Sequence, residues 1–90
     1  MTYTLIYNDK NDFLKKRKEL RESHILYLKN YKENILIAGP ILDKNQNPVG
    51  SLLVVDFESE EEVKNFSKND PYNLGGLFKK VEIIRFKKVM

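Results

Sequence analysis

The sequence predicts an α+β fold with the element order βαββαβ, and three observations carry that expectation. Four short segments are rich in β-branched, aliphatic and aromatic residues, as strands are. A long stretch from Phe13 to about Lys32 has neither Gly nor Pro, and its apolar residues recur at helical spacing. A second helix start follows the third strand: in Ser59-Glu60-Glu61-Glu62, Ser59 can cap and Glu62 sits three residues on, as in a capping box.

Taken in order, Thr2 to Tyr7 is the first strand. Asn8, Asp9, Asn11 and Asp12 form a polar turn and offer N-caps for the helix from Phe13 to about Lys32, which Asn34 breaks. Ile35 to Ala38 is a short apolar strand closed by Gly39-Pro40, and Asp43 to Pro48 is a loop of turn formers. Ser51 to Phe57 is the third strand. The second helix, with Val63 and Phe66 inward, must end near Asp70, because Pro71 disfavours a helical residue before it. Pro71 to Gly76 reads as a turn region and Val81 to Val89 as the last strand. This is the ferredoxin-like plan of one antiparallel four-stranded sheet, and residues 1–90 form a single domain.

Composition bounds the function. The 90 residues contain no cysteine, which excludes disulfides, thiolate metal sites and cysteine nucleophiles. A secreted domain of this size usually needs staples, so a cytoplasmic home is expected. Met1 to Asn8 lacks the basic start and apolar run of a signal peptide, and no stretch is apolar for the roughly 20 residues that a membrane span needs. Of the 16 basic residues, 13 are lysine and only Arg17, Arg21 and Arg85 are arginine. They are dispersed along the chain, so a net charge of +3 implies no nucleic-acid surface.

Two helices cover only one face of a four-stranded sheet, yet the strands are apolar on both. Leu52 and Val54 alternate with Leu53, Val55 and Phe57; Tyr3, Leu5 and Tyr7 stand against Ile6; Val81 and Ile83 stand against Ile84 and Phe86. A bare apolar sheet face would be a large exposed patch. A second copy packed sheet to sheet is therefore expected: a homodimer, or a higher oligomer built from it.

Helix one carries the candidate site. At 100° per residue, Phe13, Leu20, Tyr27, Leu28 and Tyr31 share one direction, and Arg17 and His24 fall inside that stripe. Lys15, Lys18, Glu19, Glu22, Lys29 and Asn30 lie opposite, and Arg21 sits at the stripe's edge. Leu20 and Tyr27 are expected beneath the sheet, with Lys18 and Glu22 in water. An inward Arg and an inward His need partners or a cavity. The plainer reading makes His24 a core residue bonded to backbone and pairs Arg17 with a nearby carboxylate. Asp70 is the second candidate, projecting near Val63 and Phe66 at the end of helix two; ordinary turn chemistry explains Asn69-Asp70-Pro71 equally well.

The motifs Arg17-x-x-x-Arg21-x-x-His24, Ala38-Gly39-Pro40, Gly50-Ser51, Asp70-Pro71-Tyr72 with Gly76-Leu77, and Phe86-Lys87-Lys88-Val89 occur in this order. Together they resemble the YciI-like (YCII-related) family. That resemblance implies a dimeric α/β barrel and an enzyme with a His–Asp pair in a cleft, here His24 and Asp70. It further implies that Gly39, Pro40 and Ser51 line the cleft, with Arg17 and Tyr72 nearby. The loop from Ile41 to Val49 is shorter than in many relatives, which leaves the cleft more open.

The leading functional reading is a small enzyme needing neither metal nor cofactor, acting on a small cyclic or aromatic compound by proton abstraction, isomerisation or elimination. His24 is its acid or base, Asp70 orients the imidazole, and Arg17 or Arg21 holds an anionic oxygen. Glu60, Glu61 and Glu62 are consecutive at a helix start and cannot face one metal. The alternative is a non-catalytic ligand-binding or accessory domain using the same cleft. An RNA-recognition domain shares the element order, but Ser51 to Phe57 lacks the basic–Gly–aromatic run that such a domain stacks bases on.

Overall fold

The computed structural model describes residues 1–90. Seven elements follow one another: β1 (Thr2–Asp9), α1 (Leu14–Lys29), β2 (Ile35–Leu42), β3 (Pro48–Asp56), α2 (Glu60–Lys68), α3 (Pro71–Leu74) and β4 (Phe78–Phe86). The strands form one sheet in the order β2-β3-β1-β4 with every neighbour antiparallel, which is the ferredoxin-like arrangement.

The alternation along the strands decides which side chains meet the helices. Tyr3, Leu5 and Tyr7 of β1 lie across from Val55, Leu53 and Ser51 of β3, and all six are buried. With Phe57 and with Val63 and Phe66 of α2, the five apolar ones make the core on the helical side, and Tyr27, Leu28 and Tyr31 pack against it. On the other face, Leu52 and Val54 of β3 join Ile6 of β1 and Ile84 and Phe86 of β4. No element covers that side; Ile37 of β2 is 60% exposed, Phe86 47% and Ile84 43%.

Several boundaries differ from the sequence expectation, each for a physical reason. Strand β2 is not closed at Gly39-Pro40 but runs on to Leu42, with Pro40 opposite Ser51. It is an edge strand, where a residue without an N–H is tolerated. Pro48 to Gly50 already belong to β3 rather than to the loop. Helix α1 ends at Lys29, and Phe13 occupies its N-cap position without a side-chain cap. The polar run before it does not cap the helix: Asp12 takes a positive φ of 63° and Asp9 completes β1. Residues 71–74 are helical, so Asp70 is not the end of α2 but the N-cap of α3, with Pro71 at a position that needs no N–H. Strand β4 spans Phe78–Phe86 instead of starting at Val81 and ending at Val89.

Helix α2 begins as expected: the Glu62 N–H donates to Ser59 Oγ at 3.2 Å. The return bond of the motif reaches one residue further out, from the Glu58 N–H to Glu62 Oε2 at 3.3 Å. On α1, Lys18 and Glu22 are exposed as expected, but Leu20 and Tyr27 are only half-buried. The residues α1 buries fully are Arg17 and His24.

Gly50 is required by close approach. A Cβ there would stand 2.3 Å from the carbonyl oxygen of Tyr7 on the paired strand, and paired backbone cannot move aside cheaply. Gly50→Ala is expected to destabilise the fold by more than about 1 kcal/mol, a fall in Tm of roughly 4–8 °C for a domain of this size. Thermal melting followed by circular dichroism measures it, and an unchanged Tm contradicts this packing.

Candidate active site

The site lies where one end of the sheet meets α1 and α3. Helix α1 supplies Arg17, Arg21 and His24, the end of β1 supplies Asp9, β2 supplies Gly39 and Pro40, β3 supplies Ser51, and the start of α3 supplies Asp70 and Tyr72. Between α1 and the β2–β3 edge is a cleft of about 430 Å³ lined by Arg17, Arg21, His24, Ser51 and Tyr72 among others. Ile25, Leu28, Leu42 and Leu53 give it apolar walls. Nothing lies within 4 Å of where a Gly39 Cβ would stand, so that wall is low and open.

His24 and Asp70 are in direct contact. Nδ1 of His24 is 2.8 Å from Oδ1 of Asp70, and the two residues are 6% and 0% exposed. The same Oδ1 accepts the Tyr72 backbone N–H at 2.9 Å as the cap of α3. An ionised carboxylate has only acceptors; a neutral imidazole bonded to one carries its proton on Nδ1 and its lone pair on Nε2. Asp70 itself does not line the cleft. Its Oδ2 is buried with no hydrogen-bond partner in the chain.

Tyr72 is the plate on which the site is stacked. Its ring lies 3.8 Å from the His24 imidazole at an interplanar angle of 12°, and the Arg17 guanidinium carbon is 4.7 Å from its centre. Stacking fixes the imidazole plane, and the guanidinium gains from the ring's negative face. Burial raises the Tyr72 hydroxyl above the ordinary tyrosine range, an effect that the charges of Arg17 and Arg21 oppose.

Arg17 is buried because its charge is matched. Its Nε donates to Asp9 Oδ2 at 2.7 Å, and Nη2 donates to Asp9 Oδ1 at 3.3 Å and to Ser51 Oγ at 2.7 Å. This two-point fork is the strong form of an arginine–carboxylate pair. The plainer reading of Arg17, a partner carboxylate nearby, therefore holds, while His24 is bonded to a side chain and not to backbone.

Sequence reasoning placed Asp9 in the turn before α1 and missed its role. The signal was available in the strand period: Tyr3, Leu5 and Tyr7 point inward, and Asp9 continues that series. Lys18 was assigned to the solvent face; it is exposed, and it also borders the cleft. Three carboxylates, Asp9, Asp12 and Asp43, border a second depression, but no group of three or more His, Asp or Glu is arranged to hold a metal ion. No helix is long and apolar enough to cross a membrane.

Fold and geometry together define a class: a ferredoxin-like α+β protein with a buried histidine–carboxylate pair behind an apolar-walled cleft. The YCII-related domain matches residues 1–87, and the chain belongs to that family. It is 33% identical over 97 aligned positions to Protein YciI of Escherichia coli, covering 99% of both chains. It is 35% identical to a Haemophilus influenzae protein with the same coverage. Among solved structures, 5-chloro-2-hydroxyhydroquinone dehydrochlorinase (TftG) from Burkholderia phenoliruptrix, in complex with 2,5-dihydroxybenzoquinone, superposes with a TM-score of 0.91 at 30% identity. That match covers 97% of this chain and 94% of TftG. An antibiotic biosynthesis monooxygenase homologue from Bacteroides thetaiotaomicron shares the fold at a TM-score of 0.64 and 13% identity, covering 100% of this chain and 90% of the other.

Behind the pair, the Tyr7 hydroxyl donates to Ser67 Oγ at 3.0 Å. Burial pushes the Tyr7 hydroxyl well above its usual range; the Ser67 bond opposes this and the Asp70 charge adds to it. Burial raises Tyr27 as well. An unfolded tyrosine loses its proton near pH 10, whereas folded Tyr7 keeps it. The unfolded state then binds fewer protons, so stability falls as pH rises above about 10 and is unaffected below that. Tyr7→Phe is expected to flatten this alkaline loss. Urea midpoints at pH 8 and pH 11 measure it, and equal losses in the variant and the wild type contradict it.

Proposed function

We propose that the protein is an acid/base enzyme acting on a small hydroxylated aromatic or quinone-like ring, with elimination as its reaction type. The observation that carries this reading is the 2.8 Å contact between His24 Nδ1 and Asp70 Oδ1, which leaves Nε2 as the free base of a residue lining the cleft. In the proposed reaction, Nε2 takes a proton from a ring hydroxyl. The electron pair moves into the ring, and the imidazolium delivers the proton to the ring carbon that bears the leaving group. Nε2 then takes the proton of a second ring hydroxyl, para to the first, whose electron pair expels the leaving group with its bonding pair and leaves a quinone; that second proton passes to the leaving group or to solvent. The net change is loss of HX, with no oxidant or reductant. Asp70 holds the tautomer and stabilises the transient imidazolium. The apolar walls and the Tyr72 plate suit a flat ring. Similarity to TftG across nearly the whole chain supports elimination on a ring substrate as the reaction class.

The test uses 5-chloro-2-hydroxyhydroquinone as the trial substrate. His24→Ala is expected to lower kcat by about 10²–10⁴-fold. Asp70→Asn is expected to cause a loss in the same range, although Asn keeps the capping acceptor of α3 and so preserves much of the fold. Both variants are followed for turnover and Tm. A fully active His24→Ala protein, or a loss of Tm without a loss of rate, contradicts the reading.

We also propose that the uncovered sheet face packs against a second copy of the chain. Ile37, Ile84 and Phe86 are exposed on that face, and an isologous two-fold contact would remove them from water. Sedimentation equilibrium at micromolar concentration is expected to report a dimer, and Ile84→Glu a folded monomer. A monomeric wild-type protein contradicts this assembly.

A further inference from the structure

Two arginines one turn apart on α1 border the cleft, and their surroundings differ. The Arg17 guanidinium is committed. It is 5% exposed, forked onto Asp9 and bonded to Ser51, so its charge is largely spent inside the protein. Arg21 is exposed, lies beside the Tyr72 hydroxyl and takes part in none of the protein's ion pairs. Lys18, on the same rim, is also unpaired. No carboxylate lines the cleft. The mouth therefore carries uncompensated positive charge over an apolar floor.

We infer that Arg21, and not Arg17, is the anion-recognition residue of the cleft, and that the ligand class is a flat ring bearing an ionised oxygen or carboxylate. The inference rests on the cleft being the substrate site. Arg21 is three residues before His24, so the two side chains project from adjacent turns of one helix. A ring-sized ligand whose anion meets Arg21 can thus present its reacting hydroxyl to His24. The planar guanidinium offers a carboxylate or a pair of vicinal oxygens two parallel donors, which an ammonium cannot match. Asp9 already holds the Nε–Nη2 edge of Arg17, and a second two-point contact through Nη1 and Nη2 would compete with the bond to Ser51.

The experiment is calorimetric titration of the intact protein with two probes. 2,5-Dihydroxybenzoquinone ionises readily because its hydroxyls are vinylogous carboxylic acids; its dimethyl ether has the same ring and no charge. Arg21→Gln is expected to weaken binding of the ionised quinone by about 10- to 100-fold, the range for losing hydrogen bonds to a charged group. Affinity for the dimethyl ether and the Tm should stay within error of the wild type. Added salt should weaken anion binding in the wild type and much less in the variant. Arg21→Lys should restore only part of the loss. An Arg21→Gln protein that binds the ionised quinone within twofold of the wild type overturns the inference and leaves the acid/base reading untouched, because titration requires no turnover. A wild-type protein that binds neither quinone overturns the inference together with the cleft reading beneath it.

Discussion

A helix can bury an arginine and a histidine only if something meets their polar ends, and α1 buries Arg17 and His24 more completely than any of its apolar residues. They are seven residues apart, two turns or about 10.5 Å along the helix. Two carboxylates are therefore needed at two separate points, and they come from elements distant in sequence. Asp9 arrives at the end of β1, and Asp70 arrives with the start of α3. Removing Asp9 leaves the buried Arg17 charge unmatched, at a cost on the order of 3–5 kcal/mol for a buried ion pair, and removing Asp70 leaves the buried imidazole without its hydrogen-bond partner. The two contacts pin α1 against the sheet end and against α3 together, and the cleft lies along the line between them.

Asp70 is economical in its use of one oxygen. Oδ1 caps α3 and also fixes the imidazole, so the short helix and the tautomer of His24 are specified by the same atom. Tyr72 follows two residues later, because a capped turn places its N–H on that oxygen, and its ring is thereby delivered against His24. Gly75, at the end of α3, leaves room for Leu20, since a Cβ there would stand 2.5 Å from that side chain.

The sequence made much of this legible and hid the rest for identifiable reasons. Strand alternation and the glycine-free helical stretch suffice to order the elements, and the helical angle alone turns Arg17 and His24 inward. The boundaries near proline were misjudged. Gly39-Pro40 reads as a strand end in the sequence, yet on an edge strand a proline has no neighbour on one side to ask for its missing N–H. Asp70 was read as a helix end because Pro71 follows, yet the same proline is well suited to the first turn of a new helix. Asp9 was hidden by composition, since it sits in a run of Asn and Asp that reads as a turn, although the strand period points it inward. Arg21 lay at the edge of the helical stripe, and only the commitment of Arg17 to Asp9 distinguishes the two arginines.

The assignment of the proton on His24 carries the account of the site, and the chain offers a clean way to measure it because it contains a single histidine. Nitrogen-15 NMR of the labelled protein above the pH at which the imidazole is neutral resolves both ring nitrogens without assignment ambiguity. The account requires a protonated, pyrrole-type Nδ1 with its proton shifted downfield by the Asp70 hydrogen bond, and a pyridine-type Nε2 open to the cleft. A protonated Nε2 with a pyridine-type Nδ1, accepting a proton from a neutral Asp70, would contradict it.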